Sequence, residues 1–499
     1  MAEEIISIDE LMQSSGVSFG TSGARGKVED MTDKVCYAYT RAFIQHLREK
    51  QSLSADSHIA IAGDYRPSTR RIMINVATAI TDSGYKVINC GTIASPAVAA
   101  FGIANHIPSI MVTGSHIPDD RNGIKFNKAD GEILKEDETG IRNQTVTIQS
   151  ELFGHSGDFN TIHELPVADT HAYNDYRQRY LDFFPQGCLK GLRIGLYEHS
   201  TVLREAMFDI LTGLGASVLK LGFSETFMPV DTEAVRAEDI QLAKEWSAQH
   251  QLDALVSADG DGDRPLISDE TGEWLRGDIV GILAADYLQA DIIATPVSSN
   301  SAVEKSGHFN KVVRTRIGSP YVIAAMQDAD KEADRQTIVG YEANGGFLTQ
   351  TAIDKEGKQL SPLPTRDAML PIIAILAASR VQGCAISGLL AELPARFTYS
   401  DRLKEFPTAI SQARLAPFLD NDKQLALQHV NEFLGDGFST AVDIDITDGV
   451  RITLANDEIV HIRPSGNAPE LRCYTETDNV QGAQELNRMA MERINVWRK

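Results

Sequence analysis

Cysteine is scarce in this chain: five residues among 499, Cys36, Cys90, Cys188, Cys384 and Cys473, with no Cys-x-x-Cys pair. An odd, scattered set reads as reduced thiols in a cytoplasmic protein. Long apolar runs are missing too. The best, Met369 to Ser379, falls well short of the ~20 residues a membrane span needs. Positive charge is outnumbered, with 47 Lys and Arg against 69 Asp and Glu, a formal net charge of -22. That balance argues against a nucleic-acid partner. An acidic protein that binds a phosphorylated ligand must concentrate its cations locally. The first ten residues are acidic and lack the basic and long apolar regions of a signal peptide, so the sequon Asn143-Gln-Thr145 carries no weight. The expectation is a soluble cytoplasmic protein with no membrane and no nucleic-acid partner; its oligomeric state has no signature here. What is present is length and a 42% hydrophobic content, enough for about three to four domains.

The chain alternates strand and helix signals. His58-Ile-Ala-Ile-Ala62 reads as a strand, Ser68 or Thr69 can cap a helix running to about Asp82, Gly84 stops it, and Tyr85 to Cys90 is the next strand. The pattern returns at Leu192–Leu221 and more weakly at Ile292–Arg314. Such units predict mixed or parallel sheets covered by helices. A second repeat is a polar loop, a strand, a Gly turn and another strand, with turns at Asp130-Gly131, Thr271-Gly272 and Glu356-Gly357. After about Pro394 the pattern changes to a separate α+β domain. The expected architecture is α/β: three related α/β domains with mixed sheets (1–160, 161–290, 291–395) and a smaller C-terminal α+β domain (396–499) around a central cleft.

Each polar loop carries candidate chemistry. Val112-Thr-Gly-Ser115-His116-Ile-Pro118 interrupts two apolar runs and presents one hydroxyl, Ser115; on this stretch alone the favoured reading is a serine in a plain hairpin loop. Asp259-Gly-Asp261-Gly-Asp263-Arg264 sets three carboxylates at alternate positions, a hard-cation site of oxygen ligands or else a solvated acidic turn. An EF-hand is disfavoured because its sixth residue is Arg264 and both flanks are strands. Gly340-Tyr-Glu342-Ala-Asn344-Gly-Gly346 places a carboxylate and an amide two apart, facing one way if the loop is extended. Arg463-Pro-Ser465-Gly466-Asn467-Ala-Pro-Glu-Leu-Arg472 offers forked guanidinium, hydroxyl, amide and backbone donors to a phosphate dianion, or arginines paired with carboxylates. Phe19-Gly-Thr-Ser-Gly-Ala-Arg25-Gly26 surrounds one arginine with glycines, a surface turn or a close approach to an anion. Together the set suits phosphoryl transfer on a phosphosugar.

These five motifs, in their chain order from residue 19 to 472, resemble those of the α-D-phosphohexomutases. The resemblance implies that Ser115 is stored as phosphoserine, that Asp259, Asp261, Asp263 and a phosphoserine oxygen hold Mg²⁺, and that a hexose 1,6-bisphosphate arises in the cleft and serves as activator. It implies catalytic roles for Ser115, His116, Lys125 and Arg264, with Lys125 as acid–base group through a burial-lowered pKa. It assigns Arg25, Glu342, Asn344, Arg463, Ser465, Gly466, Asn467 and Arg472 to the small-molecule phosphosugar. The expected reaction interconverts a hexose 6-phosphate and a hexose 1-phosphate, mannose first, with glucose or glucosamine phosphates as rivals. A non-catalytic phosphosugar sensor is the reading of another class. The chain departs from the family pattern at Gly114, usually Ala; at Ile117, usually Asn; at Asn344, generally Ser; at Asn467-Ala468, commonly Thr-Glu; and at Ser319, often His or Asp.

Overall fold

Ile59-Ala-Ile-Ala62 is buried throughout and belongs to an interior strand of the first large sheet. A strand with no polar face needs cover on both sides, which crossover helices supply. His58–Gly63 runs parallel to Lys86–Thr92 on one side and to Ser109–Val112 on the other. Ser109–Val112 pairs antiparallel with Arg121–Lys128, which pairs antiparallel with Gly23–Lys27. The serine loop leaves the end of an interior strand, fixed by a neighbour on each side. The predicted helix is Thr69–Asp82, but neither named residue caps it as expected. Thr69 Oγ1 donates instead to Asp64 Oδ1 (2.6 Å), and Ser68 Oγ accepts from Asn122 (2.9 Å).

The arrangement repeats. Arg193–His199 lies parallel to Ser217–Phe223 and to Ala254–Ala258, and the latter turns antiparallel into Pro265–Ile267. Asp259 thus follows its strand as Ser115 follows Ser109–Val112. Ile338–Tyr341 pairs antiparallel with Phe347–Thr349, placing Glu342 at the third such strand end. The third predicted hairpin is corrected. Phe347–Thr349 pairs with Leu363–Asp367, whereas the Glu356-Gly357 turn closes a separate ribbon, Ile353–Lys355 with Lys358–Leu360. Leu363–Asp367 is a strand, and the helix after it runs from Met369 to Gln382.

The computed structural model describes residues 3–20, 22–54, 56–332, 335–465 and 469–498. It separates into two compact units, Met1–Asp291 with Ser319–Leu389, and Ile292–Gly318 with Leu390–Lys499. The second unit holds the parallel pair Ile292–Pro296 and Lys311–Thr315. It also holds a five-stranded antiparallel sheet in the order Phe397–Leu403, Leu471–Thr477, Ile459–Pro464, Val450–Leu454, Ala441–Asp445. Leu403, Phe406, Val430, Ile452, Leu471 and Ile494 share its core. Among the described residues no helix is long and apolar enough to cross a membrane. All five cysteines are free.

Two buried histidines give folding a pH dependence. His199 contacts the Ala258 carbonyl through Nε2 (2.9 Å) and His461 the Asp448 carbonyl (2.7 Å), and the Nδ1 of each lacks a partner. Burial, the leading cause, pushes both down to about 4. The unfolded chain protonates them near 6.5, so their contribution is intact above that pH and is lost as pH falls towards 4. Each should cost roughly 1.4 kcal/mol of stability per pH unit across that window. Urea unfolding at stepped pH should show this slope, and His461→Gln should flatten its share in the second unit; a slope unchanged by the substitution would contradict the assignment.

Candidate active site

Ser115 is held in the left-handed region at φ 55, a conformation that costs a non-glycine residue and needs support. Its N–H donates to Thr113 Oγ1 (2.8 Å), which donates to Asp64 Oδ2 (2.7 Å). The main support is Arg66. Its guanidinium, fully buried, donates to the carbonyls of Ser115 (2.8 Å), Ile117 (2.6 Å) and Pro118 (2.7 Å) and to Asp64 Oδ2 (3.0 Å), and lies 4.0 Å from the Phe227 ring centroid. This accounts for Gly114: a Cβ there would come 2.6 Å from Arg66 Cζ. Arg66 went unread in the sequence; the signal was a charged Asp-Tyr-Arg immediately after an apolar strand.

The Ser115 hydroxyl donates to Asp259 Oδ2 at 2.6 Å. Asp259 Oδ1 accepts the N–H groups of Asp263 (3.1 Å) and Arg264 (3.2 Å), so the loop curls around its own first carboxylate. All three aspartates are buried, with ligand oxygens within 4.8 Å of one another. Burial, then the charges of Asp261 and Asp263, raise the Asp259 carboxyl well above the usual range. Burial also opposes ionisation of Asp263, but Arg366, Lys125 and Arg264 prevail and hold it low. Asp261 Oδ1 and Asp263 Oδ1 are buried with no hydrogen-bond partner. Uncompensated hard oxygens converging in this way fit a divalent cation such as Mg²⁺.

Lys125 Nζ donates to Asp261 Oδ2 (2.5 Å) and Asp263 Oδ2 (2.7 Å). The expectation of a burial-lowered lysine is overturned: burial does work against the charge, but the two carboxylates outweigh it and the pKa is raised. His116 Nδ1 lies 2.9 Å from Arg264 Nη1 and 3.4 Å from Ser115 Oγ. Burial and then Arg264 and Arg25 lower its pKa to about 2, so the ring is neutral and Nδ1 accepts from the guanidinium. Arg25, on Gly23–Lys27, is pushed down to about 10 by burial and by Arg264 and Arg366. These cations form the local concentration of positive charge that an acidic phosphate-binding protein requires.

Glu342 and Asn344 do not sit in an extended loop. Gly345 N–H closes on the Glu342 carbonyl (2.9 Å), a tight turn, and Asn344 Oδ1 accepts from Gly346 N–H (2.9 Å). The turn forms because Tyr341 and Phe347 are register partners across the hairpin. Asn344 therefore spends its oxygen on the loop and presents its amide nitrogen, while Glu342 Oε2 accepts from Arg366 (3.2 Å). Ser319 donates to Glu132 Oε2 (3.0 Å), beside Ser22 (2.8 Å) on the same oxygen. Its hydroxyl is an internal strut.

In the second unit Arg463 and Arg472 are register partners on adjacent strands, so their side chains stand side by side. Arg463 Nε lies 2.8 Å from Asp448 Oδ2, and Arg472 Nη2 lies 3.4 Å from Glu470 Oε2. Ser465 N–H donates to the Glu470 carbonyl (2.8 Å). Gly466 and Asn467 lie outside the described residues. Ser115, His116, Lys125, Arg25, the three aspartates, Arg264, Glu342 and Asn344 thus belong to the first unit, and Arg463, Ser465 and Arg472 to the second.

Known proteins carry the same organisation. Residues 16–151 match the family described as phosphoglucomutase/phosphomannomutase, alpha/beta/alpha domain I; residues 276–397 match its alpha/beta/alpha domain III, and residues 414–493 its C-terminal domain. The chain is 42% identical over 487 residues to a phosphomannomutase of Salmonella muenchen, covering 97% of each protein. It is 40% identical over 482 residues to a phosphomannomutase of Sinorhizobium fredii, covering 96% of this chain and 99% of that one. A phosphoglucosamine mutase of Listeria monocytogenes is 25% identical over 513 residues, at 96% and 98% coverage. Among solved structures, a phosphoglucomutase/phosphomannomutase family protein of Burkholderia thailandensis superposes with TM-score 0.71 at 16% identity, covering 97% and 98% of the two chains. An Aspergillus fumigatus N-acetylphosphoglucosamine mutase, in complex with GlcNAc-6P and magnesium, gives 0.58 at 13% identity and 98% coverage of each. With strand-end loops of this kind in each of three hairpins and two relatives at 40% identity or more over nearly its whole length, the chain belongs to the α-D-phosphohexomutase family.

Proposed function

We propose that this phosphohexomutase interconverts mannose 6-phosphate and mannose 1-phosphate, with Ser115 as the phosphoryl carrier and a 1,6-bisphosphate as intermediate and activator. The observation that carries the reading is the Ser115 hydroxyl, 2.6 Å from an aspartate of a buried three-carboxylate loop. The preference for mannose follows the relatives at 40% and 42% identity. Phosphoserine gives its phosphoryl group to the free hydroxyl of the bound monophosphate; the bisphosphate turns over and returns the other phosphoryl group to Ser115 Oγ. Both steps are displacements at phosphorus, so catalysis is chiefly positioning and charge neutralisation. Arg264 and Arg25 face the anionic oxygens, and neutral His116 fixes the Arg264 fork. In the first transfer the proton of the attacking sugar hydroxyl ends on the departing Ser115 Oγ, and in the second it returns from Ser115 Oγ to the sugar oxygen whose bond to phosphorus breaks; Lys125 is the acid–base group that relays it at the sugar end. Glu342 and the Asn344 amide grip sugar hydroxyls, while Arg463, Ser465, Gly466, Asn467 and Arg472 hold the phosphate not being transferred. Asp259, Asp261, Asp263 and a phosphoserine oxygen would hold Mg²⁺. Bound there, Mg²⁺ would neutralise charge on the transferring group. The domain division 1–160, 161–290, 291–395 and 396–499 and a cytoplasmic location complete the reading.

Turnover of mannose, glucose and glucosamine 1-phosphates under identical conditions tests it. The highest kcat/KM should fall to mannose 1-phosphate; a higher value for glucosamine 1-phosphate would rename the enzyme, and release of inorganic phosphate without isomer would make it a phosphatase. The cation site has its own prediction. Asp261→Asn should weaken Mn²⁺ binding, read by electron paramagnetic resonance, by at least the ~10-fold that even outer-sphere partners contribute. Unchanged affinity would remove Asp261 from the ligand set.

A further inference from the structure

Three consecutive residues of the strand Leu363–Asp367 each reach a different part of the first unit. Thr365 Oγ1 donates to Glu132 Oε1 (2.6 Å). Asp367 accepts the hydroxyls of the buried Tyr176 (2.6 Å) and Tyr180, and the N–H of Met369 at the start of helix Met369–Gln382 (3.0 Å). Between them, Arg366 is buried and forked. Its Nε donates to Asp263 Oδ2 (3.1 Å), its Nη2 lies 3.1 Å from the same oxygen, and its Nη1 donates to Glu342 Oε2 (3.2 Å). One guanidinium therefore joins the aspartate loop to the turn that carries Glu342 and Asn344.

The turn is built to receive that side chain. A Cβ on Gly346 would lie 2.6 Å from Arg366 Cδ and 2.7 Å from its Cγ, so the arginine stem lies directly on the glycine. The stem is pressed from below by Gly346 and anchored from either side along the strand by Thr365 and Asp367. A planar fork so fixed sets the separation of its two carboxylates, which a lysine ammonium, a compact point donor on a flexible stem, does not. It also occupies Glu342 Oε2 and Asp263 Oδ2, leaving Glu342 Oε1 to a ligand and Asp263 Oδ1, which accepts no hydrogen bond, to a cation.

We propose that Arg366 is a positioning residue of the mutase reaction, setting Glu342 and the aspartate loop at one spacing so that the sugar is presented to the phosphoryl group in a single register. The inference rests on the function proposed above. The test compares wild type, Arg366→Lys, Glu342→Gln and the double variant, with kcat and KM for mannose 1-phosphate, Mn²⁺ affinity, and thermal melting. Arg366→Lys should raise KM about 10-fold with a smaller fall in kcat, and the double variant should lose little more than either single one. Its Mn²⁺ dissociation constant should stay within about 3-fold of wild type, since lysine keeps the charge. Full kcat/KM in Arg366→Lys, strictly additive losses, or Mn²⁺ affinity falling in step with activity would each overturn the proposal. If Arg366→Lys does not melt cooperatively, Arg366→Gln takes its place in the cycle. If the wild type isomerises no hexose phosphate, the functional reading has failed instead. The coupling of Arg366 to Glu342 is then read from calorimetric binding of mannose 1-phosphate by the same four proteins, where additivity again overturns it.

Discussion

Ser115→Ala is expected to lower turnover on the order of 10⁴-fold or more, the scale seen when a covalent nucleophile is removed from an otherwise intact site. The fold should tolerate the change. Alanine meets the same positive-φ cost as serine at φ 55, and the backbone contacts to Thr113 and Arg66 do not involve the side chain. The hydroxyl is lost, with its 2.6 Å bond to Asp259 and its 3.4 Å contact with His116 Nδ1. Intact mass gives an independent reading. Wild-type protein charged with hexose 1,6-bisphosphate should carry roughly 80 Da of extra mass, the variant none, and sugar monophosphate should remove it from wild type. A variant that turns over normally, or one that still gains the mass, would displace Ser115 as carrier. A wild type that never gains it would favour the sensor reading.

The largest stability effect should come from Arg66, which makes no contact with Asp259, Asp261 or Asp263. Arg66→Ala removes the cation paired with the buried Asp64 and strips a donor from each of three loop carbonyls, together with the longer bond to the Arg121 carbonyl (3.3 Å). Breaking a buried pair by deleting one partner typically costs ~3–5 kcal/mol, because the remaining charge is left uncompensated. Asp64 would keep the hydroxyls of Thr69 and Thr113, which do not replace a charge. Denaturant unfolding should show the loss, and limited proteolysis should open the chain near residues 114–121 before the rest. Arg66→Lys should recover only a small part, since one ammonium cannot serve Asp64 and three diverging carbonyls together. Wild-type stability in Arg66→Ala would mean that the loop stands without it.

The residues at the strand ends were legible because chemistry concentrates there in unusual local strings. A three-aspartate loop, a Ser-His-x-Pro turn and an Arg-Pro-Ser-Gly loop stand out in an acidic chain. The supporting shell was not legible, for a physical reason. Arg66 serves carbonyls 49 to 55 positions away, and Arg366 serves Asp263, 103 positions away, so no local pattern marks what either one holds. Gly114 and Gly346 were visible, but their need appears only once the arginine resting on each is in place. The strands Phe397–Leu403 and Ile459–Pro464 were also missed. The first is an edge strand, mostly exposed and polar, without the alternation that reveals a half-buried one. The shape of the Glu342 turn could not be read from spacing, because the Asn344 side chain that closes it competes with the extended form.

Lys125 stands opposite Met111 on one side and Gly23 on the other, flanked by the buried Ile124 and Phe126. Strand side chains alternate with a period of two, so a one-residue insertion or deletion between residues 112 and 125 that shifted the pairing would turn the ammonium into the core and an apolar ring into the site. The same parity binds every group placed by a paired strand. Diversification of this scaffold is therefore closed to length changes within its strands and open to single replacements at strand ends. Gly114, Ile117 and Asn344 are departures of that second kind, and each leaves the neighbouring strands in register.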